Sequence, residues 1–321
     1  MNKLASIEKD FSTALKSVAR NLEMKQYIQQ SPELYPLFLR AAQRFVTGEG
    51  RKDGIDVGEL LMGKGYAISL EYIGENTTNA DECRLAVQEF KGLIQECGQR
   101  GMASRISLDL SHIGMSIDPD LAYEHLLQLA QEAKKYGLSM MLSMEESAKT
   151  DRILSIYKKA VVDYPNIGIT LQAQLHRTPQ DLSELLGYPG AIRLVKGAYQ
   201  ESDDCYTPRS EELNKRYLEL VDRCVLAGHP VSIATHDEEI VRHIAGRDYF
   251  QQAWVEAEML YGIRPDLGKQ LKESGYPVRI YLTYGAEWYL YLCHRIAEFP
   301  PNLYTAITDI INGGRSSSQL Y

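Results

Sequence analysis

Arg193-Leu-Val-Lys-Gly-Ala-Tyr199 is a short apolar run that carries two cations. Ile192, Leu194 and Val195 are β-branched or apolar, Pro189-Gly190 supplies a turn before them, and Gly197 breaks the run after them. The stretch therefore reads as a buried strand, with Arg193 inside it and Lys196 at its exit. A charge inside a buried run is costly unless it is paired, so an anion or an electron-rich ring is the expected partner. A carboxylate on a neighbouring strand would serve equally well, and the stretch alone leaves both readings open.

Working outward, runs of the same kind recur. Residues 66–73, 105–110, 138–144 and 167–172 precede the stretch, and 230–235, 253–257 and 276–282 follow it. Helical patterns lie between them at about 78–97, 118–136, 147–162, 210–227 and 238–243. Eight strands alternating with helices satisfy the count of an α/β fold of the (β/α)8 TIM-barrel type, in which catalytic groups gather at the carboxyl ends of the strands. Residues 1–65 read as an N-terminal helical segment that packs on the barrel, with Leu34, Leu37, Phe38, Ala41, Ala42 and Phe45 on one helix face. The barrel itself is expected over 66–312, and 313–321, with its Gly-Gly-Arg-Ser-Ser-Ser run, as a flexible tail.

The chain has 321 residues, 44% of them hydrophobic, enough for one large core without a second full domain. A net charge of −8 and a pI near 5.5 argue against a nucleic-acid partner and for a small molecule. Five cysteines at Cys83, Cys97, Cys205, Cys224 and Cys293 are scattered and lack CxxC spacing, which suits a reducing cytoplasm rather than a disulfide scaffold or zinc cage. No signal-peptide pattern and no run of roughly 18 apolar residues is present, so a spanning segment is not expected. Peripheral attachment to the inner face of a membrane stays open.

Polar residues collect where the strands end. They are Glu71; Asp109, Ser111 and His112; Ser143 and Glu145; Gln172, Gln174 and His176; Arg193 and Lys196; Thr235, His236 and Asp237; Glu258 and Tyr261; and Tyr281 and Tyr284. Many of these should only satisfy backbone or neighbouring groups. A metal site built from Asp109, Glu145, His112 and His236 has no diagnostic spacing, and no metal is expected. In the last strong helical pattern Tyr291, His294 and Arg295 stand at i, i+3 and i+4, on one face that excludes Leu290 and Leu292. Such a face either closes over the barrel mouth or is simply solvated.

Four ordered motifs carry a family resemblance. Arg193–Tyr199, Ala234-Thr-His-Asp237, Met259-Leu-Tyr-Gly262 and Tyr284–Glu298, continued by Pro300-Pro301-Asn302-Leu303, together resemble the proline dehydrogenase family of the bacterial monofunctional type. The resemblance runs from about Leu34 to Ile311. It implies a barrel holding noncovalent FAD, which takes a hydride from the ring carbon beside the nitrogen of proline, gives Δ1-pyrroline-5-carboxylate and passes electrons on to a quinone; oxygen is the other acceptor to consider. It assigns Arg193 and Tyr281 to catalysis. Gln172, Arg193, Lys196, Gly197, Ala198, Tyr199, Thr235, His236 and Glu258 are assigned to the cofactor, and Asp109, Ser143, Leu260, Tyr281, Tyr291, His294 and Arg295 to the substrate.

The departures from the family pattern fall on the substrate side. Asp109 stands where the family has a lysine, Ser143 where it has an aspartate, and His294 where it has the first of two arginines. Glu258 stands where a glutamine is common. The expectation is an FAD-dependent oxidoreductase acting on a C–N or N–N bond of an amino-acid-like or cyclic amine other than ordinary L-proline. A proline dehydrogenase of proline catabolism with an unusual pocket is the alternative, and a non-catalytic flavin- or ligand-binding barrel is the alternative of another class.

Overall fold

The computed structural model of the chain describes residues 3–19, 21–312 and 317–321. Four helices come first: α1 (Lys3–Ala19), α2 (Leu22–Gln30), α3 (Leu34–Ala42) and α4 (Arg51–Gly63). Then strand and helix alternate as β1 (Ala67–Tyr72), α5 (Ala80–Gln99), β2 (Ser104–Leu108), α6 (Pro119–Lys135), β3 (Ser139–Leu142), α7 (Thr150–Asp163), β4 (Ile167–Gln172) and α8 (Thr178–Leu185). The second half continues with β5 (Ile192–Val195), α9 (Glu211–Leu226), β6 (Val231–Ala234), α10 (Glu238–Ala245), β7 (Val255–Leu260), α11 (Pro265–Glu273) and β8 (Val278–Tyr284). Helices α12 (Trp288–Glu298), α13 (Asn302–Asn312) and α14 (Ser317–Leu320) follow. All eight strands run parallel in sequence order, and β8 pairs back on β1 to close the barrel.

Alternation along the strands explains why the apolar runs contain charges. On β5, Ile192 and Leu194 belong to the apolar cluster shared with the surrounding helices, while Arg193 turns into the barrel. On β1, Ile68 and Leu70 are wholly buried in the same cluster, and Ser69 faces inward to donate to Glu258. Each Leu or Ile so buried contributes roughly 1.5–3 kcal/mol, which fixes the register, because a one-residue slip would exchange the two sets. The barrel interior is unusual for its polarity, since branched aliphatic residues normally fill it. Arg105 and Arg279 each approach Glu256 at 2.9 Å, and Arg105 reaches Glu258 at 3.3 Å. Burial alone would raise the Glu256 carboxyl, but Arg105 and Arg279 outweigh it and hold the group down at about 2.

A second apolar cluster joins the end of α3 to α12, with Phe45, Val46, Trp288, Leu292 and Ile296 at its centre. Gly262, at φ +74°, lies against the Arg44 carbonyl so closely that a Cβ would sit 1.7 Å from it, so only glycine fits where β7's exit meets the helical prologue.

The structure differs from the sequence reading in three places. Helices α8 and α11 are too short for their apolar period to show, although a proline in the first turn of each marks its start. Strand β7 runs on to Leu260 rather than stopping at Ala257, because Glu256 and Glu258 are inward barrel positions and not a polar exit. The end of the expected flexible tail is packed: the Tyr321 hydroxyl accepts from the Gly262 amide at 2.9 Å and its ring stacks on Tyr261 at 5.8 Å. Residues 313–316 of that tail lie outside the described residues.

Candidate active site

The carboxyl ends of the strands open on a cavity of about 720 Å³, within the range of small-molecule sites. Every residue singled out above for cofactor or substrate lines it. Its wall from β4 to β7 is built from matched partners. Arg193 Nε donates to Thr170 Oγ1 at 2.9 Å, Nη1 to Ser107 at 3.3 Å and Glu258 at 3.4 Å, and Nη2 to Ser143 at 3.3 Å. Its guanidinium also lies 4.9 Å from the Tyr281 ring centroid, so the anion and the electron-rich ring are both present. These bonds leave one Nη2 N–H of the guanidinium fork for a ligand.

Lys196 bonds Asp237 and Asn214, each at 2.6 Å, which leaves a third ammonium donor. His236 Nε2 accepts the Leu260 amide at 2.9 Å, so its proton belongs on Nδ1. Burial, with Arg295 and Arg264 adding to it, lowers this imidazole to about 3 and keeps it neutral. Gln172 donates to the Glu145 carbonyl at 2.8 Å, and Gln174 holds the Tyr199 carbonyl at 3.1 Å. Gly197, at φ +107°, gives the chain the sharp exit that turns Ala198 and Tyr199 along the cavity. Thr235 accepts from the Asp237 amide, and Asp237 in turn caps α10. Glu258, expected at the cofactor, lines the cavity, accepts from Ser69, Arg105 and Arg193, and is the counterion of the guanidinium.

The opposite wall, from β1 to β3 and α12, is built differently. Asp109 leaves β2 into the cavity beside Ser143, and removal from water followed by Glu71, Glu145 and Glu75 pushes its carboxyl well above the usual range. Glu71 accepts a hydrogen bond from the Tyr281 hydroxyl, yet burial still raises its carboxyl against the opposing pull of that bond, Arg193 and Arg295. Neither carboxylate makes an ion pair with any described residue. Arg295 pairs with Glu298 at 2.7 Å, not with Asp109, and lies 5.0 Å from the Tyr291 ring centroid, while its Nε is buried without a hydrogen-bond partner. The α12 face at the cavity is wider than the sequence suggested: Glu287, Leu290, Tyr291, His294, Arg295 and Glu298 all line it, and Leu290 is therefore included.

Other strand-end residues serve neighbours. Tyr284 points outward to Glu89 at 2.8 Å, and Tyr261 lies under Tyr321. His176 bonds the Asp204 carbonyl, and Glu145 pairs with Lys149 at 2.6 Å and accepts from the Ser111 amide. His112 packs beside Tyr72 and is lowered to about 4 by burial. Among the described residues no group of three or more His, Cys, Asp or Glu is placed to hold a metal. Sequence reasoning passed over Arg105 and Arg279, although each is a charge inside an apolar strand, the signal that singled out Arg193.

A closed (β/α)8 barrel with a large cavity at the strands' carboxyl ends, lined by convergent polar groups, is the architecture of an enzyme that positions a small ligand within the barrel mouth. The family model described as proline dehydrogenase matches residues 56–299. The chain belongs to the proline dehydrogenase family, oxidoreductases that act on a CH–NH group. It is 31% identical over 264 residues to proline dehydrogenase 1 of Bacillus subtilis, which covers 81% of this chain and 87% of that one. Identity to the proline dehydrogenase of Deinococcus radiodurans is 32% over 320 residues, 96% of this chain and 100% of that one. Among solved structures, proline utilization A from Bdellovibrio bacteriovorus superposes with a TM-score of 0.78 at 16% identity, over 97% of this chain and 39% of that one, a likeness of fold.

The residues present fit a flavin. The free Arg193 N–H, the third Lys196 donor and the Gln172 amide lie along one wall of a cavity large enough for a ring system, and the neutral His236 adds no competing charge.

Proposed function

We propose that the protein is an FAD-dependent dehydrogenase that oxidises the C–N or N–N bond of an amino-acid-like or cyclic amine other than ordinary L-proline. Gln172, Arg193, Lys196, Thr235 and His236 would hold the flavin, which supplies the hydride acceptor when bound. Arg193 orients that acceptor and stabilises negative charge on it, Tyr281 packs on Arg193, and Leu260, Tyr291 and Arg295 enclose the substrate. The observation that carries the altered-substrate reading is Asp109, a carboxylate without an ion pair to any described residue at the place of the family's lysine. A substrate carboxylate set against it would lose a charge-assisted hydrogen bond, about 1.5–3 kcal/mol, and meet a like charge as well.

A second reading, L-proline itself, draws on the names of the relatives and on the buried Arg295 Nε, a donor suited to a carboxylate. Anaerobic addition of L-proline, hydroxyproline, pipecolate, simple cyclic amines and hydrazine-bearing amino acids to the yellow holoenzyme separates the two. Bleaching by a cyclic amine or hydrazine at a rate well above that with L-proline is expected. Fastest bleaching by L-proline would overturn the altered-substrate reading, and a colourless preparation would overturn the flavin assignment.

For the electron acceptor the candidates are a quinone or oxygen. The place of action is read as the cytoplasm or the inner face of its membrane, which the five free cysteines support. Among the described residues no helix is long and apolar enough to cross a membrane.

A further inference from the structure

We propose that Glu71 and Asp109 form a cation-receiving pole of the cavity, at which a protonated amine nitrogen of the substrate is held. This rests on the reading of the cavity as a site of amine oxidation. Each carboxylate lies beside a side chain that also touches Arg193. The Tyr281 ring packs on the guanidinium and its hydroxyl donates to Glu71, while Ser143 accepts from Arg193 Nη2 and draws the neighbouring Asp109 carboxyl down. The two acids are thereby fixed one side chain away from the group assigned to the reacting edge of the cofactor. That is where the carbon–nitrogen bond of a substrate has to lie.

Charge matching shows what is missing there. Deeper in the barrel Arg105, Arg193 and Arg279 face Glu256 and Glu258, so the surplus cation can offset only one of the two carboxylates above. Glu145, the next acid along the wall, already pairs with Lys149, which it shares with Glu146. Neither Glu71 nor Asp109 forms an ion pair with a described residue, an arrangement that raises both carboxyls in the free protein and favours an arriving ammonium. Mutual repulsion between Glu71 and Asp109, and their withdrawal from water, are both relieved by a cation between them. The Arg295 Nε, buried and unpartnered in the same cavity, is an independent sign that a ligand completes the site, and it marks a place for an acceptor atom away from the acids. The substrate class that matches is an amine or amino acid protonated at nitrogen, with any anionic group directed to Arg295 and away from Asp109.

Two small probes of one ring size test the poles. Pyrrolidine is a cation without a carboxylate, and cyclopentanecarboxylate is an anion without a nitrogen. Titration of the holoenzyme at pH 8, followed by flavin absorbance and by calorimetry, should show pyrrolidine binding at least tenfold tighter to wild type than to the double variant Glu71→Gln, Asp109→Asn. Cyclopentanecarboxylate should bind the double variant as tightly as wild type or more tightly. Equal pyrrolidine affinity in the two proteins, or weaker cyclopentanecarboxylate binding by the variant, would overturn the proposal. If the double variant does not fold, Asp109→Asn alone should lose at least threefold for pyrrolidine, and an unchanged affinity counts against the pole. A colourless protein would refute the flavin reading instead, and calorimetry with the same probes would still decide the pole.

Discussion

The two walls of the cavity treat charge in opposite ways. On the β4–β7 wall the two cations of β5 and its exit have anions at hand: Arg193 has Glu258, and Lys196 has Asp237. On the β1–β3 wall neither Glu71 nor Asp109 makes an ion pair with a described residue, and on α12 the Arg295 Nε is buried without a hydrogen-bond partner among them. Matched charges make a rigid, preorganised surface that costs nothing to rearrange when a ligand arrives, which suits a resident cofactor. Unmatched charges make a surface completed by its ligand, which suits a substrate that comes and goes. The difference explains how a chain can keep a family's motifs along one wall while the other wall changes.

The strongest test exchanges the odd wall for the family's. Asp109→Lys, Ser143→Asp and His294→Arg together place a lysine–aspartate pair beside Arg193 and add a cation next to Arg295. If each regained charge-assisted contact is worth about 1.5–3 kcal/mol, kcat/KM for L-proline should rise by three or more orders of magnitude. Stopped-flow flavin reduction reads this directly, and a change below tenfold would mean that the matched wall, too, has been misread.

Breaking the matched wall should cost nearly as much. Arg193→Met removes a preorganised donor, so flavin reduction should slow by about 10²–10³-fold, with a much smaller effect on FAD retention. The same change leaves Glu258 with Arg105 and Ser69, so stability should fall by about 1.5–3 kcal/mol, the usual cost of one lost charge-assisted contact. Adding Glu258→Gln should recover much of the stability and none of the rate. A rate that returns with the stability would show that Arg193 acts only as a structural counterion.

On α12 the expected effect is smaller. Arg295→Ala should raise KM for carboxylate-bearing amines by roughly one to two orders of magnitude and leave pyrrolidine nearly unaffected. Equal losses for both kinds of substrate would mean that the α12 face shapes the cavity without recognising an anion.

How much of this was legible in the sequence follows from the same contrast. A charge within an apolar run can be read, because alternation along a strand has a fixed period, and so Arg193 and the barrel were accessible from Ile192–Val195. The reading failed where a local signal had a non-local cause. Glu256 and Glu258 resemble the polar end of a strand unless Arg105 and Arg279 are known to lie across the barrel from them. Leu320 and Tyr321 follow a serine-rich segment, and nothing local reveals that Leu320 is buried or that Tyr321 packs against Tyr66 and Tyr261. The substitution at Asp109 was visible, but its lack of an ion pair with any described residue was not, because that depends on Arg295 pairing with Glu298.

That missing ion pair yields the smallest expected effect, one read in stability. Asp109 holds its proton more tightly in the folded protein than in the unfolded chain, owing to its withdrawal from water and then to Glu71, Glu145 and Glu75, with the Ser143 hydrogen bond opposing them. Between the unfolded value, about 3.9, and the raised folded value, the folded state binds the extra proton. Stability from this group is therefore complete in acid and is lost as pH rises through the folded value. Asp109→Asn cannot undergo that loss, so its Tm should exceed that of wild type at pH 7–8, and the gain should shrink to nothing near pH 4. Glu256 has the opposite sign, since it is held down at about 2 and loses stabilisation in acid, but it is common to both proteins and cancels in the difference. Glu71→Gln should show the same trend more weakly, because the Tyr281 hydroxyl, Arg193 and Arg295 already favour its charged form. A Tm difference for Asp109→Asn that is flat with pH, or that grows toward acid, would show that Asp109 has a cationic partner in solution, and the unmatched wall would then be matched after all.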